Sequence, residues 1–211
     1  FITESTFGLP IYNWKSETQL QAEIQDWVQL NQQNNRTSVF FGYSLGKAQR
    51  IMSLLDGMDE VFVHSAIDHL NTAIESAGVP LPKTHLLKAD FKKEDLANKI
   101  VIMPPALLGT KMQKRIPNAA TAICSGWMHI RGNRRWRGVD AGFAVSDHAD
   151  WNGLIQAVKA SEAEQVYVTH GSQATFAKYL NEIGIKADEL KTEFGDETLE
   201  NEDKSNQVVS S

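Results

Sequence analysis

Short apolar runs alternate along the chain with longer segments in which apolar residues recur three and four positions apart. The runs at residues 38–42, 61–64, 100–103 and 121–124 have the length and β-branched or aromatic content of buried strands. Residues 1–3 read as the end of another strand, 143–145 and 166–168 as two more, and 185–190 as an edge strand. Between them lie helical faces: Leu20, Ile24, Trp27 and Val28; Ala48, Ile51, Met52 and Leu55; a segment over 68–77; Leu154, Ile155 and Val158; and Phe176, Leu180 and Ile183. The ends of these helices are marked. Ser16 and Gln19 form a capping box, Asp150 is an N-cap, Gly78 with Pro80 and Pro82 stops the third helix, and Gly184 stops the last. The alternation predicts an α/β fold, a mostly parallel sheet flanked by helices. No internal repeat is visible.

Composition narrows the class. The 211 residues suffice for one large domain or two small ones, and 42% hydrophobic with 22% charged residues is ordinary for a globular protein. A single cysteine, Cys124, excludes an internal disulfide and a cysteine-rich zinc site, and fits a reducing, cytoplasmic compartment. No apolar run is long enough to cross a bilayer, and the first residues lack the basic and apolar regions of a signal peptide. The chain opens on Phe1, inside what reads as a strand, and is read as a segment of a longer protein. A net charge of −5 argues against simple electrostatic binding of nucleic acid. The average hides an uneven distribution, however. Residues 101–139 contain no Asp or Glu but carry Lys111, Lys114, Arg115, Arg131, Arg134, Arg135 and Arg137, and the chain turns strongly acidic after residue 192, where disorder is expected.

Three stretches carry candidate chemistry. Residues 142–171 read strand, loop, helix, strand, loop, and are expected to be two parallel strands that place His148 and His170 just past their carboxyl ends, the edge where open α/β sheets hold their sites. A histidine at a strand end is as often structural as functional; a matched pair, with Glu4 after a third strand, points to a site in which one imidazole can bind a metal and another, steered by a carboxylate, can act as general acid or position a scissile phosphate. Residues 42–47, Gly-Tyr-Ser-Leu-Gly-Lys, resemble a P-loop with one residue too few, and Ala48 stands where Mg²⁺ would need a hydroxyl, which excludes nucleotide hydrolysis. Either a phosphate site at a helix N-terminus or a simple tight turn fits them. Residues 127–138 interleave Arg131, Arg134, Arg135 and Arg137 with Trp127 and Trp136, a composition suited to phosphate contact and base stacking. A solvated basic loop is the plainer reading, and the lack of acidic neighbours favours binding.

Several of these motifs, in this order, resemble the β-CASP group of metallo-β-lactamase-fold nucleases: Phe-Ile-Thr-Glu-Ser-Thr-Phe-Gly at residues 1–8, Leu-Gly-Lys-Ala-Gln-Arg at 45–50, Ser-Gly-Trp-Met at 125–128, Arg-Gly-Val-Asp at 137–140, Ser-Asp-His-Ala-Asp-Trp at 146–151 and Val-Thr-His-Gly at 168–171. The nearest subgroup is the bacterial ligase-associated DNA exonucleases, also labelled mRNA 3′-end processing factors. The resemblance covers residues 1 to about 190. It implies that 1–11 end the first metallo-β-lactamase segment, 12–140 form an inserted β-CASP domain, 141–191 are the carboxyl-terminal segment of the αββα fold, and 192–211 are an acidic tail. It also implies that Glu4 and His148 are a pair beside the scissile phosphate, with Glu4 orienting His148. His170 would be a metal ligand, and Lys47, Arg50 and the four arginines of 131–137 would hold the strand. Asp147 and Asp150 are read as capping and orienting their loop.

The resemblance further implies phosphodiester hydrolysis with two divalent ions, zinc or manganese, in the full-length parent, and association with nucleic acid, a DNA ligase and a helicase, with no membrane. The main metal motif of the group, His-x-His-x-Asp-His, is absent: none of His64, His69, His85, His129, His148 and His170 stands in it. In the group it lies upstream of the Glu-Ser-Thr motif. This chain alone is therefore expected to hold no catalytic metal tightly and to cleave nothing. His170 leans towards the RNA-processing members and the subgroup match towards DNA, which is favoured. The alternatives are an RNA 3′-end processing nuclease, a non-catalytic nucleic-acid-binding module, and a flavodoxin-like scaffold, which leaves the ordered motifs unexplained.

Overall fold

The computed structural model describes residues 1–58, 60–130 and 138–190. The acidic stretch beyond residue 190 and Arg131, Arg134, Arg135 and Arg137 lie outside the described residues. The chain divides into two compact units: a central one, Lys15–Asp147, and a terminal one made of Phe1–Trp14 and the segment from His148 onward.

The central unit is a six-stranded sheet in which every described pairing is parallel, ordered β4-β3-β5-β2-β6-β7. Its strands are β2 (Thr37–Phe41), β3 (Val61–Val63), β4 (His85–Leu86), β5 (Ile100–Met103), β6 (Ala119–Cys124) and β7 (Ala141–Phe143). Strand β2 is buried along its whole length, as a central parallel strand must be when both faces are covered. Its side chains alternate between two cores. Phe40 points to the face covered by α1 (Glu17–Gln33), α2 (Lys47–Leu54) and α3 (Ser65–Ser76), where it meets Ile24, Val28, Ile51 and Ile67. Val39 and Phe41 point to the other, with Val101, Met103, Leu96, Ile116 and Met128. That second face is covered by short pieces: 3₁₀ turns Lys93–Leu96, Pro105–Leu107 and Gly126–His129, and the one-turn helix α4 (Lys111–Lys114). The capping box of Ser16 with Gln19 is formed.

The terminal unit is a three-stranded parallel sheet, β1-β8-β9, made of β1 (Ile2–Ser5), β8 (Val166–Gly171) and β9 (Ala187–Glu189). Helices α5 (Trp151–Ala160) and α6 (Gln173–Glu182) cover one face of it through Trp151, Leu154, Val158, Phe176 and Leu180, packed with Val166 and Val168.

One expectation is corrected. The strands at 143 and 166 do not share a sheet: β7 pairs with β6 in the central unit, whereas β8 pairs with β1 and β9. β7 is the edge strand of its sheet, and both sides of β8 are taken, by β1 and β9, so the stretch 142–171 is not a strand–helix–strand unit of one sheet. The central unit ends at Asp147.

Asp140 fastens the edge of the central sheet. Its carboxylate accepts from the Thr121 N–H at 2.8 Å, the Thr121 hydroxyl at 3.0 Å and Arg36 Nη2 at 2.7 Å. Partial burial pushes this carboxyl up, but the Thr121 N–H, the Arg36 guanidinium and the Thr121 hydroxyl together outweigh it and hold it below the usual carboxylate value. A native pKa below the unfolded one contributes stability that is complete above the unfolded value of about 4 and is lost as pH falls through the native value. Asp140→Asn is expected to cost about 1 kcal/mol at pH 7, since solvent screens a partly exposed pair. Urea midpoints of the two proteins should converge below about pH 4.

Candidate functional site

Glu4 lies near the carboxyl end of β1, next to β8 in the parallel ladder, where it is the register partner of Thr169. One carboxylate oxygen, Oε2, accepts from the Thr6 backbone N–H at 2.6 Å. The other, Oε1, stands 3.4 Å from Nδ1 of His148. That is an ion-pair distance, longer than an ordinary N–H···O bond. Both side chains are part-exposed. The fixed carboxylate thus addresses one ring nitrogen, Nδ1, of an open imidazole.

His148 is held from several sides. The indole Nε1–H of Trp14 donates to its carbonyl at 3.1 Å, and the Phe7 ring stands edge-on to the imidazole, centroids 6.0 Å apart. Phe7 is buried and packs edge-on against Tyr12 and Trp14, at 5.0 and 4.8 Å. Burial pushes the Tyr12 hydroxyl pKa up. Asp150 joins the two segments: Oδ1 caps α5 through the Gly153 N–H at 2.8 Å, and Oδ2 accepts from the Trp14 N–H at 2.8 Å. The Trp151 N–H donates to the Tyr12 carbonyl at 3.0 Å. Asp150 therefore caps its helix as expected and also positions Trp14, a residue that carries no motif signal of its own.

His170 lies in the ladder of β8, not beyond it. The pairing runs Glu4 with Thr169 and then Ser5 with Gly171, so His170 is the extra residue of a β-bulge, with φ +55°. Its side chain is exposed, and Nδ1 lies 2.9 Å from the Thr169 hydroxyl. The ladder places Glu4 and His170 on adjacent strand ends, and the 148–150 loop brings His148 to Glu4. Among the described residues no three His, Cys, Asp or Glu side chains converge closely enough to hold a metal ion. A zinc centre takes at least three protein ligands, so these residues do not by themselves fit one.

The basic residues named from the sequence stand in the central unit. Lys47 is 7% exposed, ion-paired with Asp147 at 2.7 Å and set 4.7 Å over the Tyr43 ring. Asp147 is thus committed to Lys47, apart from the loop capped by Asp150. Arg50 donates to the Ser146 carbonyl. In the 42–47 turn, the N–H of Gly46 is bound by Gln49 Oε1 at 2.7 Å, and the N–H groups of Lys47 and Ala48 go to the Leu45 and Tyr43 carbonyls, both at 3.0 Å. The donors a phosphate would use are engaged within the turn, which fits the tight-turn reading. A cleft of about 500 Å³ in this unit, lined by Gln25, Gln29, Gln32, Asp56 and Lys99, contains none of these residues.

No family model matches the chain. A protein of Opitutus terrae named as a probable DNA ligase is 32% identical over 187 residues, which cover 88% of this chain and 18% of that protein. Among solved structures, a protein of unknown function from Enterococcus faecalis V583 superposes with a TM-score of 0.51 at 13% identity, over 92% of this chain and 50% of the other. The structural likeness is one of fold, α/β with mostly parallel sheets flanked by helices. The chain thus spans under a fifth of the curated relative and half of the solved structure. No helix among the described residues is long and apolar enough to cross a membrane.

Asp150→Ala removes a helix cap, worth about 1 kcal/mol, and leaves the part-buried Trp14 N–H without its acceptor, worth about 1–2 kcal/mol. The urea midpoint followed by tryptophan fluorescence should fall accordingly. Asn152→Ala, which removes an exposed hydrogen bond to the Asn13 side chain, should stay within about 0.5 kcal/mol of the parent.

Proposed function

We propose that this chain is part of a metal-dependent nuclease of the β-CASP group, hydrolysing phosphodiester bonds as an exonuclease in DNA repair, with DNA favoured over RNA. The observation that supports it most is the approach of Glu4 to His148 from distant parts of the sequence, at 3.4 Å, with the carboxylate fixed by the Thr6 N–H. In this reading Glu4 orients His148 through Nδ1. Nε2, the nitrogen remote from Glu4, then gives its proton to the leaving oxygen as general acid. The divalent ions, zinc or manganese, belong to the longer parent protein, and His170 is the ligand this chain lends. Phosphate contacts fall to Arg131, Arg134, Arg135 and Arg137 more than to Lys47 and Arg50, whose described contacts are internal. The preference for DNA, and association with a ligase and a helicase, rest on the motif resemblance and on the name of the Opitutus relative.

The test uses a polypeptide extended to include the parent sequence preceding Phe1, with end-labelled DNA and RNA. Nucleotide release should require divalent metal and stop with chelator. Glu4→Gln and His148→Ala should each lower kcat by roughly 10²-fold or more, the scale of a lost acid or its orienting partner. Absence of hydrolysis on every substrate, or full activity in both variants, would sink the proposal. Faster release from RNA would reverse the substrate preference. The 211-residue chain alone should show no chelator-sensitive turnover.

A further inference from the structure

We infer that Ser5 is a positioning residue for His170, clamping the bulge that aims this imidazole; the functional part of the inference rests on the role proposed for His170 above. Six non-glycine residues have positive φ among those described: Asn35, Glu60, Asn98, Asn118, Glu162 and His170. Three are asparagines, which tolerate this region, and all but His170 lie outside strands and helices. His170 alone adopts it inside a ladder. Such a backbone persists only when its surroundings over-determine it, and a bulge re-aims the side chain it carries.

The over-determination converges on Ser5, which is fully buried. Its hydroxyl donates to the His170 carbonyl at 2.5 Å. Its own carbonyl accepts from the Ser172 N–H and the Gly8 N–H, both at 2.9 Å. The strands approach so closely that a Cβ on Gly171, at φ +74°, would stand 2.4 Å from that carbonyl oxygen. One residue thus fixes the carbonyl of His170 through its side chain and the residue after Gly171 through its backbone. The hydroxyl contact is the part that can be removed without disturbing the ladder.

The test has two arms. On the 211-residue chain, Ser5→Ala, Ser5→Cys and Ser5→Thr are compared with the parent by amide spectra and by the ring resonances of His170, with far-UV circular dichroism confirming the fold. Ser5→Ala, and Ser5→Cys with its weak S–H donor at similar volume, should shift the His170 and Gly171 amides and the His170 ring signals while Val166 to Val168 stay in place. Ser5→Thr, which keeps the hydroxyl, should restore them where it folds. Unmoved His170 signals in folded Ser5→Ala and Ser5→Cys would overturn the inference. In the extended enzyme Ser5→Ala should lower kcat on the order of 10-fold or more with KM little changed, the usual scale for losing an outer partner. Unchanged kcat there would overturn the functional part. Extended parent protein that cleaves nothing, together with shifted His170 signals, would fault the nuclease reading and leave the clamp standing.

Discussion

The parallel pairing of β1 with β8 is the constraint on which the terminal unit depends. It joins residues 2–5 to residues 167–171 and sets Glu4 beside Thr169. Such a pairing has to offset the entropy of closing a very long loop. That cost grows only slowly with length, so a modest apolar core suffices to hold it. Here the core is Val166 and Val168 under Trp151, Leu154, Phe176 and Leu180. The two points where the chain leaves and re-enters the unit are tied as well: Trp14 to Asp150, Tyr12 to Trp151 and Asn13 to Asn152. His148 reaches Glu4 because of these ties, and a loosened pairing would cost the site before it cost the fold.

The buried strands and the longer helices were legible in the sequence for a simple reason; β4 and the short turns and helix over 93–129 were not. Strands buried on both faces are short apolar runs, and 37–41, 61–63, 100–103 and 119–124 differ in composition from everything beside them. Helices with marked caps at Ser16 and Asp150 begin where those caps say. Sheet membership was not legible. Nothing in the composition of 143–145 or 166–168 says which strand takes its hydrogen bonds, and β7 and β8, read as neighbours, belong to different sheets. Pairing is a long-range property of the whole chain, whereas propensity and periodicity are local.

The candidate site was legible as residue types and motif order, not as geometry. The Glu-Ser-Thr and Thr-His-Gly motifs named Glu4 and His170. They did not reveal that His170 is a bulged residue, that Ser5 binds its carbonyl, or that Gly171 is required because the neighbouring backbone leaves no room for a side chain. Trp14 carried no signal, because what it contributes here, an indole N–H, a backbone N–H and a ring packed against Phe7, belongs to no motif and depends on distant partners.

Charge illustrates the same limit. Counting arginines suggests a basic surface, yet each described arginine binds backbone carbonyls within its own unit: Arg36 that of Ala119, Arg50 that of Ser146, Arg115 those of Ala89 and Phe91. A guanidinium presents several donors in a fixed fork, so it closes loose carbonyls at strand ends and turns that no backbone N–H can reach. Lys47, Lys99 and Lys15 are likewise paired, with Asp147, Glu60 and Glu23. Such residues keep their formal charge but have already lost donors, freedom or counter-charge to the fold, so they attract a polyanion less than their number implies. Any phosphate binding by this chain therefore has to be sought in cations that the packing has not claimed.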